Sequence, residues 1–203
     1  MKKFFVPIIL ILAFALIVPN VWSATLRING DNSWVGFVNG EEVADGNNWQ
    51  EASITEFDMP DGYAVIAVYV HDAEPGAAGR GGALFDVILD DDTYIPSDDT
   101  WKADAGPPLA DRNDGWEQPD FDDSGWDNAT QLDQFGSGIW GFGADTMRQT
   151  LKDPDSTAYW VWAGPNDVED DVYFRKTVGT LPTTPVEPSG KVTTTWGALK
   201  TGK

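Results

Sequence analysis

Short apolar segments, rich in β-branched and aromatic residues, follow one another along this chain, and glycine, proline, asparagine or aspartate separates them. Residues 63–70 (YAVIAVYV) form the strongest segment, and their continuous apolar character is typical of a strand buried on both faces. Residues 33–39 (SWVGFVN) alternate in polarity and end at Asn39-Gly40, a dipeptide that favours a tight hairpin turn. A chain punctuated in this way is expected to form many short strands.

The same pattern predicts where most strands lie. The stronger candidates are residues 33–39, 63–70, 83–89, 158–163 and 172–178, and the weaker ones are residues 25–29, 52–57, 93–95 and 100–102. Helical spacing is confined to a stretch of two turns at most, at Ala144, Met147, Arg148 and Leu151. Because strands and helices do not alternate, a doubly wound parallel sheet is excluded, and an all-β sandwich or barrel is expected.

The N-terminal 23 residues have the order of a secretory signal peptide. Met1-Lys2-Lys3 precedes an almost unbroken apolar run over residues 4–19, and small or polar residues follow up to a predicted cleavage after Ser23. The alternative is a retained anchor helix, since the run approaches the length that spans a bilayer. A proline within the run and the lack of a basic cluster after it favour the signal peptide. We therefore expect a secreted protein, extracellular or periplasmic.

The remaining sequence divides into a domain and a tail. Residues 24–179 are expected to form one β-sandwich domain, which is long enough to bury its own core. Residues 180–203 begin as a linker rich in proline and threonine and end in a short basic stretch with three lysines. This flexible tail is interpreted either as a docking or sorting segment or as a frayed terminus.

Charge and cysteine content exclude several functions. The chain has 33 acidic and 13 basic residues, a net charge of −20, and residues 24–179 alone carry −24. Such a surface argues against binding to nucleic acid, which needs a basic stripe to displace counterions, and against docking on an anionic membrane after signal cleavage. The chain has no cysteine, so a disulfide framework, a thiolate zinc site and a cysteine nucleophile are excluded.

Several segments, taken in order, resemble the galactose-binding-like jelly-roll modules attached to bacterial glycoside hydrolases of the α-rhamnosidase and β-galactosidase type. They are residues 33–40 (SWVGFVNG), 63–70 (YAVIAVYV), 100–104 (TWKAD), 114–129 (DGWEQPDFDDSGWDNA), 158–163 (AYWVWA) and 172–176 (VYFRK). The match spans about residues 25–178 and contains no catalytic domain. The resemblance therefore implies an all-β jelly-roll sandwich that serves as an accessory or binding module.

Sugar recognition uses aromatic rings that stack on pyranose faces and planar polar side chains that take paired hydroxyls, and loops of a rigid sandwich collect such groups. Three loops supply the candidate ligand-binding residues: His71, Asp72, Arg80, Arg112, Trp116, Trp140 and Phe142. Most tryptophans at strand edges are expected to be core residues: Trp101, Trp126, Trp160 and Trp162. For Trp116 and Trp140, a core position and a ligand-binding position both stay open.

Aspartates that bracket the weak strand at residues 93–95 suggest a cation site. Asp90, Asp92 and Asp98 are the candidate metal ligands, because calcium takes six to eight oxygen ligands and a structural calcium ion would suit a domain without disulfides. The alternative is a solvated acidic surface whose aspartates serve turns.

Two functions from different classes follow. The first is a secreted, non-catalytic, carbohydrate-binding module that recognises a glycan or polysaccharide through loop aromatics. The second is a structural or surface-assembly protein, in which the sandwich contacts other copies or a cell-surface partner and the basic tail docks. Catalysis has little support, since a lone histidine without a Gly-x-Ser-x-Gly elbow does not indicate a serine–histidine triad.

Overall fold

The computed structural model describes residues 22–74, 80–138, 140–143, 145–147, 151 and 156–181. In this part of the chain, antiparallel strands form two six-stranded sheets that pack face to face. The strands are β1 (Trp22–Asp31), β2 (Ser33–Val38), β3 (Glu41–Gly46), β4 (Ser53–Met59), β5 (Tyr63–His71), β6 (Gly82–Leu89), β7 (Tyr94–Pro96), β8 (Lys102–Ala105), β9 (Asp127–Asn128), β10 (Thr130–Gln134), β11 (Tyr159–Trp162) and β12 (Asp171–Gly179). The predicted all-β jelly-roll sandwich is confirmed.

Sheet I has the strand order β10-β11-β6-β1-β4, with β7 also paired to β6. Its central strand β1 alternates in burial, as expected for side chains that point to opposite faces in turn. Leu26 and Ile28 lie in the core, while Arg27, Asn29 and Asp31 lie on the opposite, outer face of the sheet. The outer face of sheet I therefore has a row of polar side chains that leads to the end of β1.

Sheet II has the order β3-β2-β5-β12-β8-β9. Its two central strands pair over nine residues, from Asp171 opposite His71 to Gly179 opposite Tyr63. β5 is buried on both faces, as its sequence predicts, because loops cover the outer face of this sheet as well. The central strands of sheet II are thus shielded from solvent on both sides.

The core between the sheets is built around aromatic side chains. The ring of Phe85 contacts Trp101 at 4.6 Å and Phe174 at 5.3 Å between centroids. Two buried indole N–H groups are satisfied by backbone carbonyls: Trp101 Nε1 donates to Pro96 O over 2.8 Å and Trp162 Nε1 to Glu169 O over 3.1 Å. Such large rings supply much of the apolar area that a domain without disulfides must bury.

Each sheet also carries a smaller cluster on its outer face. On sheet II, Trp116 packs edge-on against Phe37 and Tyr173 beneath the long connection between β8 and β9. On sheet I, Leu84 and Trp160 are covered by residues that follow β10, among them Met147 and Leu151. These two outer layers decide which loop aromatics are buried and which reach a surface.

The strong strand predictions are confirmed, one weaker strand is displaced, and three strands of the structure were not predicted. The Asn39-Gly40 hairpin forms as predicted, with Asn39 at φ 50° and Gly40 at φ 86°. The predicted strand at residues 100–102 begins instead at Lys102, because Asp98 Oδ1 accepts a hydrogen bond from Thr100 N and holds residues 98–101 in a turn. β3, β9 and β10 were not predicted, since they are acidic or very short edge strands.

Parts of the sequence-based predictions fall outside the described residues. These parts are the leader up to residue 21, the chain beyond residue 181, and positions 144 and 148 of the helical stretch. β1 begins at Trp22, so cleavage after Ser23 would remove its first two residues and leave Ala24, whose side chain is buried. No helix in the described ranges is long and apolar enough to cross a membrane.

Candidate functional site

A cavity of about 230 Å³ lies at one end of the outer face of sheet I, and four aromatic rings and one carboxylate line it. We call it the aromatic pocket, and its lining residues are Asp31, Trp49, Trp140, Phe142 and Trp160. They come from β1, the β3–β4 connection, the segment after β10, and β11. Strands fix one carboxylate and one ring, and loops place the other three rings around them.

The tryptophans approach the sheet closely because the β6 residue opposite Asp31 is a glycine. Gly82 pairs with Asp31 across the two strands. A Cβ at this position would lie 2.9 Å from the Trp160 ring and 3.4 Å from the Trp140 ring. A side chain here would therefore fill the space that the rings occupy, and glycine is required by close packing.

The rings form two tilted pairs. Trp49 and Phe142 lie 4.4 Å apart between centroids at an interplanar angle of 31°, and Trp140 and Trp160 lie 5.3 Å apart at 39°. Trp160 is buried, whereas Trp49, Trp140 and Phe142 are half-buried. Each pair therefore keeps part of its aromatic surface open to a ligand while packing fixes the orientation of the rings.

The loop that carries Trp49 is anchored to the sheet through its backbone. Asn29 is fully buried on β1 and donates from Nδ2 to the carbonyl of Trp49 over 2.5 Å. Asn48 stabilises the turn, since its Oδ1 accepts from Gln50 N and its carbonyl accepts from Glu51 N. The backbone that carries Trp49 is therefore fixed by these hydrogen bonds, and its indole packs against Phe142.

Two buried polar atoms beside the aromatic pocket have no hydrogen-bond partner among the described residues. They are Oδ1 of Asn29, an acceptor, and Nε1 of Trp160, a donor. A buried polar atom without a partner is costly, and such atoms concentrate where a ligand or ordered water completes the structure.

Asp31 lies in an electrostatically unfavourable place. Burial, followed by the negative charges of Asp72 and Glu74, raises the pKa of its carboxyl group to about 6. Among the described residues, its carboxylate accepts one hydrogen bond, which Asn32 Nδ2 donates to Asp31 Oδ1 over 2.8 Å. A carboxylate kept in a cleft with a perturbed pKa is a recognised mark of a functional group.

The structure places two of the seven predicted ligand-binding residues, Trp140 and Phe142, in the aromatic pocket. Three other lining residues were not predicted as ligands: Asp31, Trp49 and Trp160. Trp49 could have been found, because it interrupts a run of turn-forming polar residues (DGNNWQE) where a core tryptophan is unexpected. Asp31 and Trp160 could not, since only the pairing of β1, β6 and β11 brings them beside the loops.

Trp116 and Arg112 are structural residues of the second outer cluster, so both must be withdrawn as ligand candidates. Trp116 is only 1% exposed, with ring contacts to Phe37 and Tyr173 on its sides. Arg112 pairs with Asp104 at 3.0 Å and Asp114 at 3.2 Å, and its guanidinium lies over the Tyr173 ring at 4.2 Å. The ring of Trp116 and the guanidinium of Arg112 hold the β8–β9 connection on sheet II.

The three residues predicted after β5 do not line the pocket. His71 is half-exposed, and its Nδ1 lies 3.0 Å from Asp171 Oδ1, on the neighbouring strand of sheet II. Asp72 is buried, accepts a hydrogen bond from Glu74 N, and acts on the pocket only through its charge on Asp31. Arg80 is exposed, two residues before Gly82.

The predicted metal ligands do not converge. Asp90 and Asp92 lie in the β6–β7 turn, while Asp98 lies beyond Pro96, which pairs with Asp86. Asp90 follows the end of β6, four residues beyond Asp86, which is about 13 Å at the usual strand rise. No group of three histidine, aspartate or glutamate side chains suited to a metal ion occurs among the residues that the structure describes. Binding of a structural calcium ion stays a prediction.

A larger groove of about 520 Å³ is lined by residues of β8 and β9, by the first residue of β10 and by the segment that follows β11. Its polar lining includes Asp104, Asp127, Asn128, Thr130 and Glu169, and none of its described lining residues is aromatic. It lacks the ring surface on which a sugar could stack. The aromatic pocket is therefore the better candidate for a ligand site.

By fold, the protein is a β-sandwich that is similar to two solved structures of one lectin. The apo lectin of Pleurotus ostreatus superposes with a TM-score of 0.50 at 14% identity, covering 79% of this chain and 63% of that one. The same lectin in complex with GalNAc gives 0.50 at 15% identity, covering 79% and 64%. At these identities the likeness concerns the fold.

In sequence, 130 residues are 33% identical to an α-L-rhamnosidase of Streptomyces avermitilis, covering 60% of this chain and 12% of that enzyme. A crystal structure of that enzyme with L-rhamnose gives a TM-score of 0.40 at 30% identity over 53% of this chain and 12% of that one. No family model matches the sequence. The resemblance to a glycoside-hydrolase accessory module is confirmed, and the chain spans about an eighth of the enzyme that it matches.

Proposed function

We propose that this protein is a secreted, non-catalytic carbohydrate-binding module whose ligand site is the aromatic pocket. The observation that carries the proposal is the convergence of four aromatic rings and one carboxylate around a single small cavity on a rigid sheet. Half-buried Trp49 and Trp140 present flat apolar surface to a pyranose ring, and Asp31 accepts hydrogen bonds from its hydroxyls. With about 230 Å³, the cavity takes one sugar residue, not an extended chain.

Similarity supports the same proposal. The relative identified by sequence is a rhamnosidase, and the matched stretch is 12% of its length, which fits an accessory module better than a catalytic domain. The sandwich of a GalNAc-binding lectin has the same fold. In this proposal, residues 1–23 act as a signal peptide that directs the protein out of the cytoplasm. Polysaccharide ligands are met outside the cell membrane.

Trp140→Ala tests the proposal. The variant loses a half-buried ring that contacts Trp160 but leaves the inter-sheet core intact, so we expect sugar affinity to fall at least tenfold while the fold is kept. Ligands are first found by screening residues 24–203 on a glycan and polysaccharide array with calcium present. Calorimetry on the best hit then compares the variant with the wild type.

Trp126→Ala is the matched control. Trp126 is also a half-buried tryptophan, but it packs against Phe121 in the cluster on sheet II. Its removal is expected to leave sugar affinity unchanged. Equal affinity of wild type and Trp140→Ala would remove the aromatic pocket from the site, and a folded protein without any array hit would favour the structural hypothesis.

A further inference from the structure

Among the residues that the structure describes, the carboxylate of Asp31 has no positive partner. Asp31 ends β1, lines the aromatic pocket and accepts a hydrogen bond from the neutral Asn32 amide. No lysine or arginine of the described ranges forms an ion pair with it. This distinguishes Asp31 from Asp86 on the same sheet face, whose carboxylate is 2.9 Å from Arg27 Nε.

The charges around Asp31 add to this imbalance. Asp72 and Glu74, in the segment that follows β5, both act on Asp31 with negative charge. Burial, Glu74 and Asp170 in turn raise the pKa of Asp72. The corner of the molecule beside the pocket therefore holds several carboxylates, and the charges of the described residues that act on Asp31 are negative.

The aromatic rings have the same electrostatic preference. The face of an indole or phenyl ring carries the negative end of its quadrupole, so a cation over it is attracted, most strongly when the site excludes water. A charge-assisted hydrogen bond from an ammonium group to a carboxylate is roughly twice as strong as a neutral one. Ring faces and carboxylate together thus favour a ligand that joins a flat apolar ring to a positive charge.

We propose, building on the function proposed above, that the aromatic pocket selects an amino sugar in its protonated form. The ammonium group donates to the carboxylate of Asp31, and the pyranose face lies against the half-buried rings of Trp49 and Trp140. Neutral sugars and N-acetylated sugars can occupy the same rings but leave the charge of Asp31 uncompensated.

Selection of this kind has a pH window. Below about pH 6, Asp31 binds a proton and loses the charge that attracts the ligand. A sugar amine loses its own proton in the range of an α-amino group, about 7.7–8.0. Amino-sugar affinity is therefore expected to be greatest between these limits, while affinity for the matched neutral sugar varies less.

The experiment compares matched ligands by calorimetry at pH 7 in the presence of EDTA: the methyl glycosides of glucosamine and galactosamine, their N-acetyl forms, and glucose and galactose. At least one amine is expected to bind ten times more tightly than its neutral counterparts.

Asp31→Asn is expected to bring this ratio of affinities near one, with exposed Asp61→Asn as its control. Glu74→Gln, an exposed position, is expected to lower the ratio two- to threefold.

Each alternative result contradicts either the amino-sugar selectivity or carbohydrate binding as a whole. Equal binding of amine and neutral sugars overturns the selectivity and leaves carbohydrate binding in place. An unchanged ratio in both Glu74→Gln and Asp31→Asn also overturns it. Neutral-sugar binding that appears only when calcium replaces EDTA overturns the amine assignment in favour of a metal-dependent site. A folded protein that binds no sugar in any condition overturns both proposals.

Discussion

At the residue scale, Asp31 shows how a carboxylate that lines the aromatic pocket can lower the stability of the fold. Its carboxyl pKa is about 6 in the folded protein, because of burial and the charges of Asp72 and Glu74, against about 3.9 for an unperturbed aspartate. The folded state therefore binds more protons than the unfolded state between these two values. The contribution of Asp31 to stability therefore falls as the pH rises from about 4 to about 6 and stays level above that range.

Asp31→Asn tests this linkage. At pH 7.5 the variant is expected to be more stable than the wild type by about 1 kcal/mol, a value reduced for partial solvent exposure of the group. At pH 4 the two proteins should have equal unfolding free energies, because Asp31 is then largely protonated. Urea titrations at both pH values measure the difference. A gain of the same size at pH 4 would show that charge is not the cause.

At the element scale, the connection between β8 and β9 is held on sheet II by a cation that strand β12 supplies. Arg175 is 2% exposed, and its guanidinium donates to Asp123 Oδ2 at 3.0 Å and to the carbonyls of Trp116 and Gln118. The same group lies over the ring of Phe121 at 5.2 Å. Strand and loop are thereby joined through one side chain.

Arg175→Met is expected to lower the unfolding free energy by about 3 kcal/mol, because it leaves buried carbonyls without donors and Asp123 without its partner. Urea denaturation measures the loss. Lys176→Met, at the next position on the same strand, is the control, since its amine hydrogen-bonds Thr100 at an exposed site. A loss below about 1 kcal/mol for Arg175→Met would mean that the loop is held mainly by Trp116.

Elements differ in how far the sequence predicts them, for a physical reason. β5 and β12 are recognisable because their side chains must be apolar on the faces that pack. β3 is acidic at Glu41, Glu42 and Asp45, and it becomes a strand because the Asn39-Gly40 turn pairs it with β2. Its charges suit a sheet edge, where they discourage pairing with another chain.

The same reasoning explains the candidate site. Trp140 and Phe142 could be predicted, since aromatic residues between glycines indicate rings that loops leave accessible. Asp31 could not, because its role depends on the cross-strand neighbour Gly82 and on charges that lie more than forty positions away in the chain, at Asp72 and Glu74. Local pattern predicts strands, while sites depend on register and on contacts between distant segments.

At the scale of the whole molecule, charge opposes folding. The net charge of −24 on residues 24–179 comes from 32 acidic and 8 basic side chains, and self-repulsion of such a surface destabilises the compact state. Raising NaCl from about 20 mM to about 500 mM should raise Tm by about 5 °C, since the Debye length shortens several-fold. Thermal melts followed by circular dichroism measure this.

The double variant Glu41→Gln with Glu42→Gln, at exposed positions on the edge strand β3, should melt higher at low salt and respond less to NaCl. An unchanged response in this variant would place the repulsion elsewhere on the surface. A Tm that falls with NaCl in the wild type would show that attractive ion pairs outweigh the repulsion.

The tail is where the two functional hypotheses separate. The lining of the aromatic pocket lies between residues 31 and 160, and β12 ends at Gly179, with Thr180 N donating to Gly62 O. Removal of residues 182–203 should therefore leave Tm and sugar affinity unchanged if the protein acts through the pocket. Calorimetry, thermal melts and light scattering on the truncated and full-length mature chains test this. The contrary outcome is that neither chain binds sugar and that truncation abolishes self-association or binding to a surface. The assembly hypothesis would then replace the carbohydrate-binding one, because the basic tail would be the functional contact with an acidic neighbour.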